Sequence, residues 1–247
     1  MNLTQRLFLF LLILSIGSCN REQLDDCFTG YGTDTAETRI LEPFSGIEAG
    51  QEFDVFITQD TSLPEQVTVR SGDKLLRSIK TVVKNGMLTF SDENRCNWVR
   101  KMHQNPRCTV NVHKLESIHI KGAAALISLD TIIGGALTID HKSVYDLDLK
   151  LRYGNVSGGS INCGKTIISG YAGIFAYEVN DVGQLLAENL RTEDIYLYHF
   201  SPLDSKVSAR MWLEISVFGK GNVQYRGTPK RGTKFIEGGQ GKIIQVP

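Results

Sequence analysis

Ile195-Tyr196-Leu197-Tyr198-His199-Phe200-Ser201 and Leu213-Glu214-Ile215-Ser216-Val217-Phe218-Gly219-Lys220-Gly221 decide the fold. In each, aliphatic residues recur at every second position and the run ends on a small or polar turn residue. A period of two sends one set of side chains to each side of an extended strand. The unit recurs upstream at Ile118-His119-Ile120-Lys121-Gly122-Ala123, at Leu137-Thr138-Ile139-Asp140-His141-Lys142-Ser143 and at Ile167-Ile168-Ser169-Gly170-Tyr171-Ala172-Gly173. Successive first residues lie 19, 30, 28 and 18 apart, so the repeat is degenerate. Strand–turn units at such spacings predict a solenoid, in which each coil covers its apolar side only against its neighbours. A sandwich of equally short strands is the competing architecture.

The chain before this region has a different texture. Alternation predicts strands at Glu52–Thr58, Gln66–Arg70, Ile79–Val83, Met87–Phe90 and Cys108–Val112. Asn85-Gly86 between two of them predicts a tight hairpin, because both residues tolerate the positive φ of a type I′ turn. Phe56 breaks the polar side of its strand, which predicts cover on both sides there. Only Asp73–Lys80, with Leu75, Leu76 and Ile79, has helical spacing. The 24 glycines and 6 prolines favour many turns over long helices.

The N-terminus carries a targeting signal. Arg6 precedes a run from Leu7 to Ile16 that is apolar except for Ser15. Ten helical residues span only about 15 Å, too short for a bilayer core of about 30 Å. A charged start, a short apolar core and small residues make a secretory signal. Ile16-Gly17-Ser18-Cys19 resembles the lipobox of bacterial lipoproteins, which implies a lipid on the Cys19 thiol after cleavage. Asn20 follows, where an aspartate would hold many lipoproteins at the inner membrane. Arg21, Glu22, Asp25 and Asp26 begin a charged tether that resembles the surface-export signals of Bacteroidetes lipoproteins. The expected location is the cell envelope, lipid-anchored at the outer membrane, with the periplasmic and surface faces both open.

Removing residues 1–18 leaves 26 positive and 27 negative charges, interspersed along the chain. No basic stripe of a nucleic-acid binder is present, and Lys230, Arg231 and Lys234 form only a small cluster. An exported chain can form disulfides. Cys96 and Cys108 flank the polar segment Asn97–Arg107 and are the expected pair. Cys27 and Cys163 can pair or stay free. No Cys or His spacing of a zinc site occurs, and no cofactor motif, phosphate loop or serine elbow is found.

Asp146 and Asp148 are the best enzyme candidates, since residues two apart on a strand share a side. Paired carboxylates serve as acid and base in glycoside cleavage. The alternative is a solvated strand side with Leu147 and Leu149 inward. His113 and His119 are a weaker metal pair, separated by a turn. Tyr145, Tyr153, Tyr171, Tyr177, Tyr196 and Tyr198 lie in or beside the repeats. Exposed tyrosines can contact glycan or protein, and inward ones serve only the core. Trp98, Arg100 and His103 lie in the Cys96–Cys108 loop and are candidate partner contacts, unless Trp98 folds back over the strand edge.

Phe44-Ser45-Gly46-Ile47 followed by Phe53-Asp54-Val55-Phe56-Ile57 resembles the opening of the DUF2807 family, a group of proposed auto-transporter adhesin domains common in Bacteroidetes lipoproteins. Leu75-Leu76 to Leu88-Thr89-Phe90 fits its next section. Gly219-Lys220-Gly221-Asn222-Val223-Gln224-Tyr225-Arg226-Gly227-Thr228-Pro229 fits its closing repeat, and the similarity covers about residues 38–245. His141-Lys142-Ser143 and His199-Phe200-Ser201 depart from it by lacking turn glycines. The resemblance implies a β-helix-like fold, an extracytoplasmic role and no known enzymatic activity. The expected fold is all-β: an irregular right-handed β-helix or β-solenoid over 115–247, with an antiparallel N-terminal β portion, 38–114, packed on it after a signal peptide, 1–18, and a tether, 19–37. The expected function is a non-catalytic adhesin or scaffold held to the membrane, with a glycan or an envelope protein as partner. A carbohydrate-active β-helix enzyme is the alternative.

Overall fold

The structure, a computed structural model, describes residues 30–94 and 105–247. Strands that are apolar on one side need cover on that side only, and this chain supplies it by coiling. One parallel ladder runs through β3 (Asp54–Thr58), β9 (Ala125–Ser128), the start of β11 (Leu147–Ile161), the start of β12 (Lys165–Asn180), β13 (Gln184–Leu186), the start of β15 (Ser205–Val217), β16 (Val223–Arg226) and β18 (Ile243–Gln245). A second runs through β2 (Gly46–Ala49), β8 (Ser117–Gly122), β10 (Ile132–Ser143), the later parts of β11 and β12, β14 (Leu190–His199), the end of β15 and β17 (Gly232–Glu237). Together they stack into about six coils of a β-solenoid, as the alternation predicted.

The inner side of each coil is a column of apolar residues. On the second ladder, Leu137, Val156, Phe175, Ile195 and Leu213 are in register and almost wholly buried. Burying one such side chain fully is worth about 1.5–3 kcal/mol. The buried residues form one continuous core from Phe44 to Tyr225. This column also corrects the spacing read from sequence. Leu137 to Ile195 is three coils of 19, 19 and 20 residues, not two irregular ones. Ile167 belongs to the first ladder instead. The missed coil passes through Gly154-Asn155-Val156-Ser157-Gly158-Gly159-Ser160, whose one large apolar residue gives no alternation. Gly158 there has φ +145°, and a Cβ would stand 1.9 Å from the Ile139 carbonyl oxygen.

The N-terminal end is closed by antiparallel structure. β4 (Gln66–Gly72) pairs antiparallel with β7 (Arg107–Asn111), and β1 (Asp34–Ile40) pairs antiparallel with β4. β5 (Ile79–Lys84) and β6 (Met87–Asp92) form the expected hairpin, with Asn85 and Gly86 at φ 52° and 73°. The helix α1 (Asp73–Leu76) buries Leu75 and Leu76. It is shorter than the predicted 73–80 because Ile79 starts β5. β1 also begins within the segment expected to be tether, so pairing with β4 orders the chain from Asp34. Arg39 on β1 closes the lid by donating to the carbonyls of Ile79 at 2.7 Å and Leu76 at 3.1 Å. A guanidinium suits this place because it offers five donors in a fixed plane.

The C-terminal end has no such lid among the described residues. Phe235 of β17 continues the inward column below Ile215 and touches Tyr225 at 5.5 Å, yet it is 40% exposed. No helix of the described residues is long and apolar enough to cross a membrane.

Candidate binding face

Ile16, Gly17, Ser18, Cys19 and Cys27 lie outside the described residues, as do Cys96, Trp98, Arg100 and His103. Cys108 is described, while Cys96, its expected partner, lies outside the described residues. Cys108 carries a free thiol, wholly buried on the inward side of β7. Its neighbours in register are Val55 and Val69, and burial pushes the thiol up to about 12. Cys163 is also a buried free thiol, pushed upward by burial.

The carboxylate pair lies at the entry to β11. Leu147 and Leu149 point inward and are wholly buried, so Asp148 faces outward. Asp146 precedes the strand, and its Oδ1 accepts the backbone N–H of Lys165 at 2.8 Å. Asp148 lies in register between Ile127 and Ile167. Partial burial, with the charge of Asp146 second, raises its carboxyl above the ordinary range. That direction is the one an acid catalyst needs. Among the described residues no group of three or more His, Cys, Asp or Glu side chains could hold a metal ion.

The histidines separate. The His113 ring contacts the Leu63 carbonyl at 2.6 Å, whereas His119 lies 3.8 Å from Asp140 on the second ladder. Two histidines expected at turns, His141 and His199, are buried instead. His141 bonds Thr166 Oγ1 at 2.8 Å through Nδ1 and the Tyr145 carbonyl at 2.9 Å through Nε2. His199 Nε2 lies 3.1 Å from Ser205 Oγ. Desolvation lowers both imidazole pKa values, opposed in each case by a hydrogen bond to backbone. They fasten one coil's corner to the next in place of turn glycines. The signal was present, since His141 and His199 each share the inward parity of the aliphatic residues before them.

The tyrosines divide by parity. Tyr153 and Tyr177 point inward; Tyr153 donates to the Leu115 carbonyl at 2.8 Å, and Tyr177 stacks on Phe175 at 5.3 Å. Tyr196 and Tyr198 point outward from β14 and are exposed. Phe200 continues their line just past the strand, where its N–H bonds the Val179 carbonyl. The exposed ring of Phe218, from the next coil, stacks on Phe200 with centroids 5.1 Å apart. Three rings at every second residue cover about 13 Å of extended chain. The two tyrosines stand out in the sequence, whereas Phe200 and Phe218 do not. The available signal was a strand whose outward positions were aromatic while its inward ones were already apolar.

The charged groups beside this strip are held by polar partners. Glu178 lies beside Tyr198 in register and accepts from Asn180 at 2.6 Å. Glu214 lies beside Tyr196 and takes Lys234 at 2.7 Å, and this bond raises the Lys234 pKa. Arg231 pairs with Asp194. Two members of the small basic cluster are thus neutralised by the coils above them. The N-terminal coils of the same ladder present Glu48, His119, Asp140, Lys121 and Lys142 at outward positions, with no aromatic residue among them.

Known structures share this architecture. A putative adhesin from Bacteroides fragilis is 22% identical with a TM-score of 0.77, over 87% of this chain and 97% of that one. A putative adhesin from Parabacteroides merdae is 15% identical with a TM-score of 0.63, over 88% and 98%. A putative lipid binding protein from Parabacteroides distasonis is 13% identical with a TM-score of 0.64, over 88% and 98%. At these identities the likeness concerns the fold. No curated protein matches the chain. The model of the DUF2807 family, described as "Putative auto-transporter adhesin, head GIN domain", matches residues 43–229, and the chain belongs to that family.

Proposed function

We propose that the chain is a non-catalytic binding module of the cell envelope, held to the outer membrane by a lipid on Cys19. The observation that carries the binding role is the exposed aromatic strip on β14, fixed on a ladder whose inner side is fully packed. Exposed aromatic side chains on a rigid surface mark contact sites, because they bury large area at small ordering cost. Membership in a family of adhesin-like proteins supports the same reading. The anchor rests on the lipobox-like Ile16-Gly17-Ser18-Cys19.

Metabolic palmitate labelling of cells making the chain tests the anchor. The wild type takes up label and sediments with membranes, and Cys19→Ala does neither; a labelled variant rejects the anchor. Adhesion of those cells to host and bacterial surfaces tests the binding role, with loss of adhesion on deletion expected and unchanged adhesion counting against it. The enzyme alternative draws on one observation, the raised carboxyl of Asp148 beside Asp146. Release of reducing ends from polysaccharide, abolished by Asp148→Asn, would favour it over a non-catalytic role.

A further inference from the structure

We propose that the strip of Tyr196, Tyr198, Phe200 and Phe218 is a platform for an uncharged glycan chain laid along β14. The inference rests on the binding-module reading and names its ligand class. Tyr196 and Tyr198 share a side of β14, and Phe200, one residue past its end, is tied to the same ladder by its N–H bond to the Val179 carbonyl. An aromatic face is electronegative and attracts the slightly positive C–H face of a pyranose ring, while the phenols of Tyr196 and Tyr198 add hydroxyl partners. The polar groups bordering the line fit the same ligand. Glu178 is held by Asn180, and Glu214 by Lys234. Glu214 is balanced by Lys234, whereas Glu178 keeps its negative charge beside the neutral amide of Asn180; this border offers acceptors and donors to a hydroxyl-rich neutral chain and repels a polyanion. The strip is also narrow. Ala176 and Glu178 border it on one side in register, and Glu214 and Ser216 on the other. A line of rings between small and polar border residues matches a linear polymer, whereas a protein partner takes a broad apolar centre.

The test titrates the full chain with neutral β-1,4-glucan, β-1,3-glucan and α-mannan hexasaccharides, followed by calorimetry. At least one is expected to bind, and a Tyr196→Ala/Tyr198→Ala variant is expected to weaken it by about tenfold or more. Tyr196→Phe/Tyr198→Phe keeps the ring faces and is expected to retain most of the affinity. Tyr145→Ala, an exposed ring away from the strip, is expected to bind as the wild type does. A thermal melt of each variant separates lost binding from lost fold. Failure of all three glycans to bind, or full binding by the alanine variant, overturns the assignment. If the glycans fail while deletion of the chain still abolishes cell adhesion, the binding-module reading stands and only its ligand is wrong. A concentration-dependent dimer that the alanine variant abolishes, with no glycan bound, overturns it in favour of a second copy of this chain.

Discussion

The two ends of the solenoid are built on different principles. At the N-terminal end, antiparallel strands and a short helix cover the first coil, and the Arg39 guanidinium satisfies two carbonyls of that cover. At the other end the described residues supply no such cover, and Phe235 is packed against its neighbouring coil yet 40% exposed. A parallel stack cannot end itself, because every coil needs a neighbour on both sides. The difference teaches that position along the axis, more than residue type, sets what a side chain contributes.

The same deletion made at different depths tests this. Phe175→Ala in a middle coil, where the ring is wholly buried, is expected to cost about 3–5 kcal/mol in chemical denaturation. A cost below about 1 kcal/mol there would break the picture of a fully packed stack. At the closed end, Arg39→Ala strips partners from the Leu76 and Ile79 carbonyls. It is expected to cost about 1–3 kcal/mol, and Arg39→Lys should recover only part because an ammonium cannot match the fork. Phe235→Ala, made at the open end, is expected to cost about 1 kcal/mol or less, since much of the ring is already in water. A loss equal to that of Phe175→Ala would mean that the last coil is covered in solution.

The smallest effect is expected from pH and sharpens the view of the corners. His141 and His199 are held below the ordinary value of 6.5 in the fold, so the unfolded chain takes up protons first as pH falls. Their stability contribution is fully present above about pH 6.5. It is lost as pH drops from there toward the lowered folded values. Asp140 and Asp146 near His141, and Asp204 near His199, oppose this loss. Melting temperature between pH 7.5 and 5.5 should fall in the wild type and fall less in His141→Gln/His199→Gln. An unchanged wild-type curve would show that the corners tolerate charge.

Much of this was legible in the residues. The Ile195–His199 and Leu213–Val217 alternation gave the coil, and Asn85-Gly86 gave the hairpin at its true place. One coil escaped because Gly154–Ser160 meets its neighbours through backbone rather than through alternating side chains. Cys108 shares the inward side of Val110, two residues on, which parity shows and spacing to Cys96 does not. The binding face was half visible. Tyr196 and Tyr198 stood out, but Phe200 and Phe218 meet only because coils of about 20 residues bring them into one stack. Sequence order does not display that adjacency.

Ladder bonds between coils run across the strands, and therefore along the solenoid axis. A pull between the two ends loads each interface in the direction of its own bonds. β11 and β12 are in register from Leu147 to Ile161, whereas the last coil holds only over residues 212–217 and 223–225. Under tension the final coil is thus a mechanical fuse relative to the β11–β12 ladder, which outlasts it.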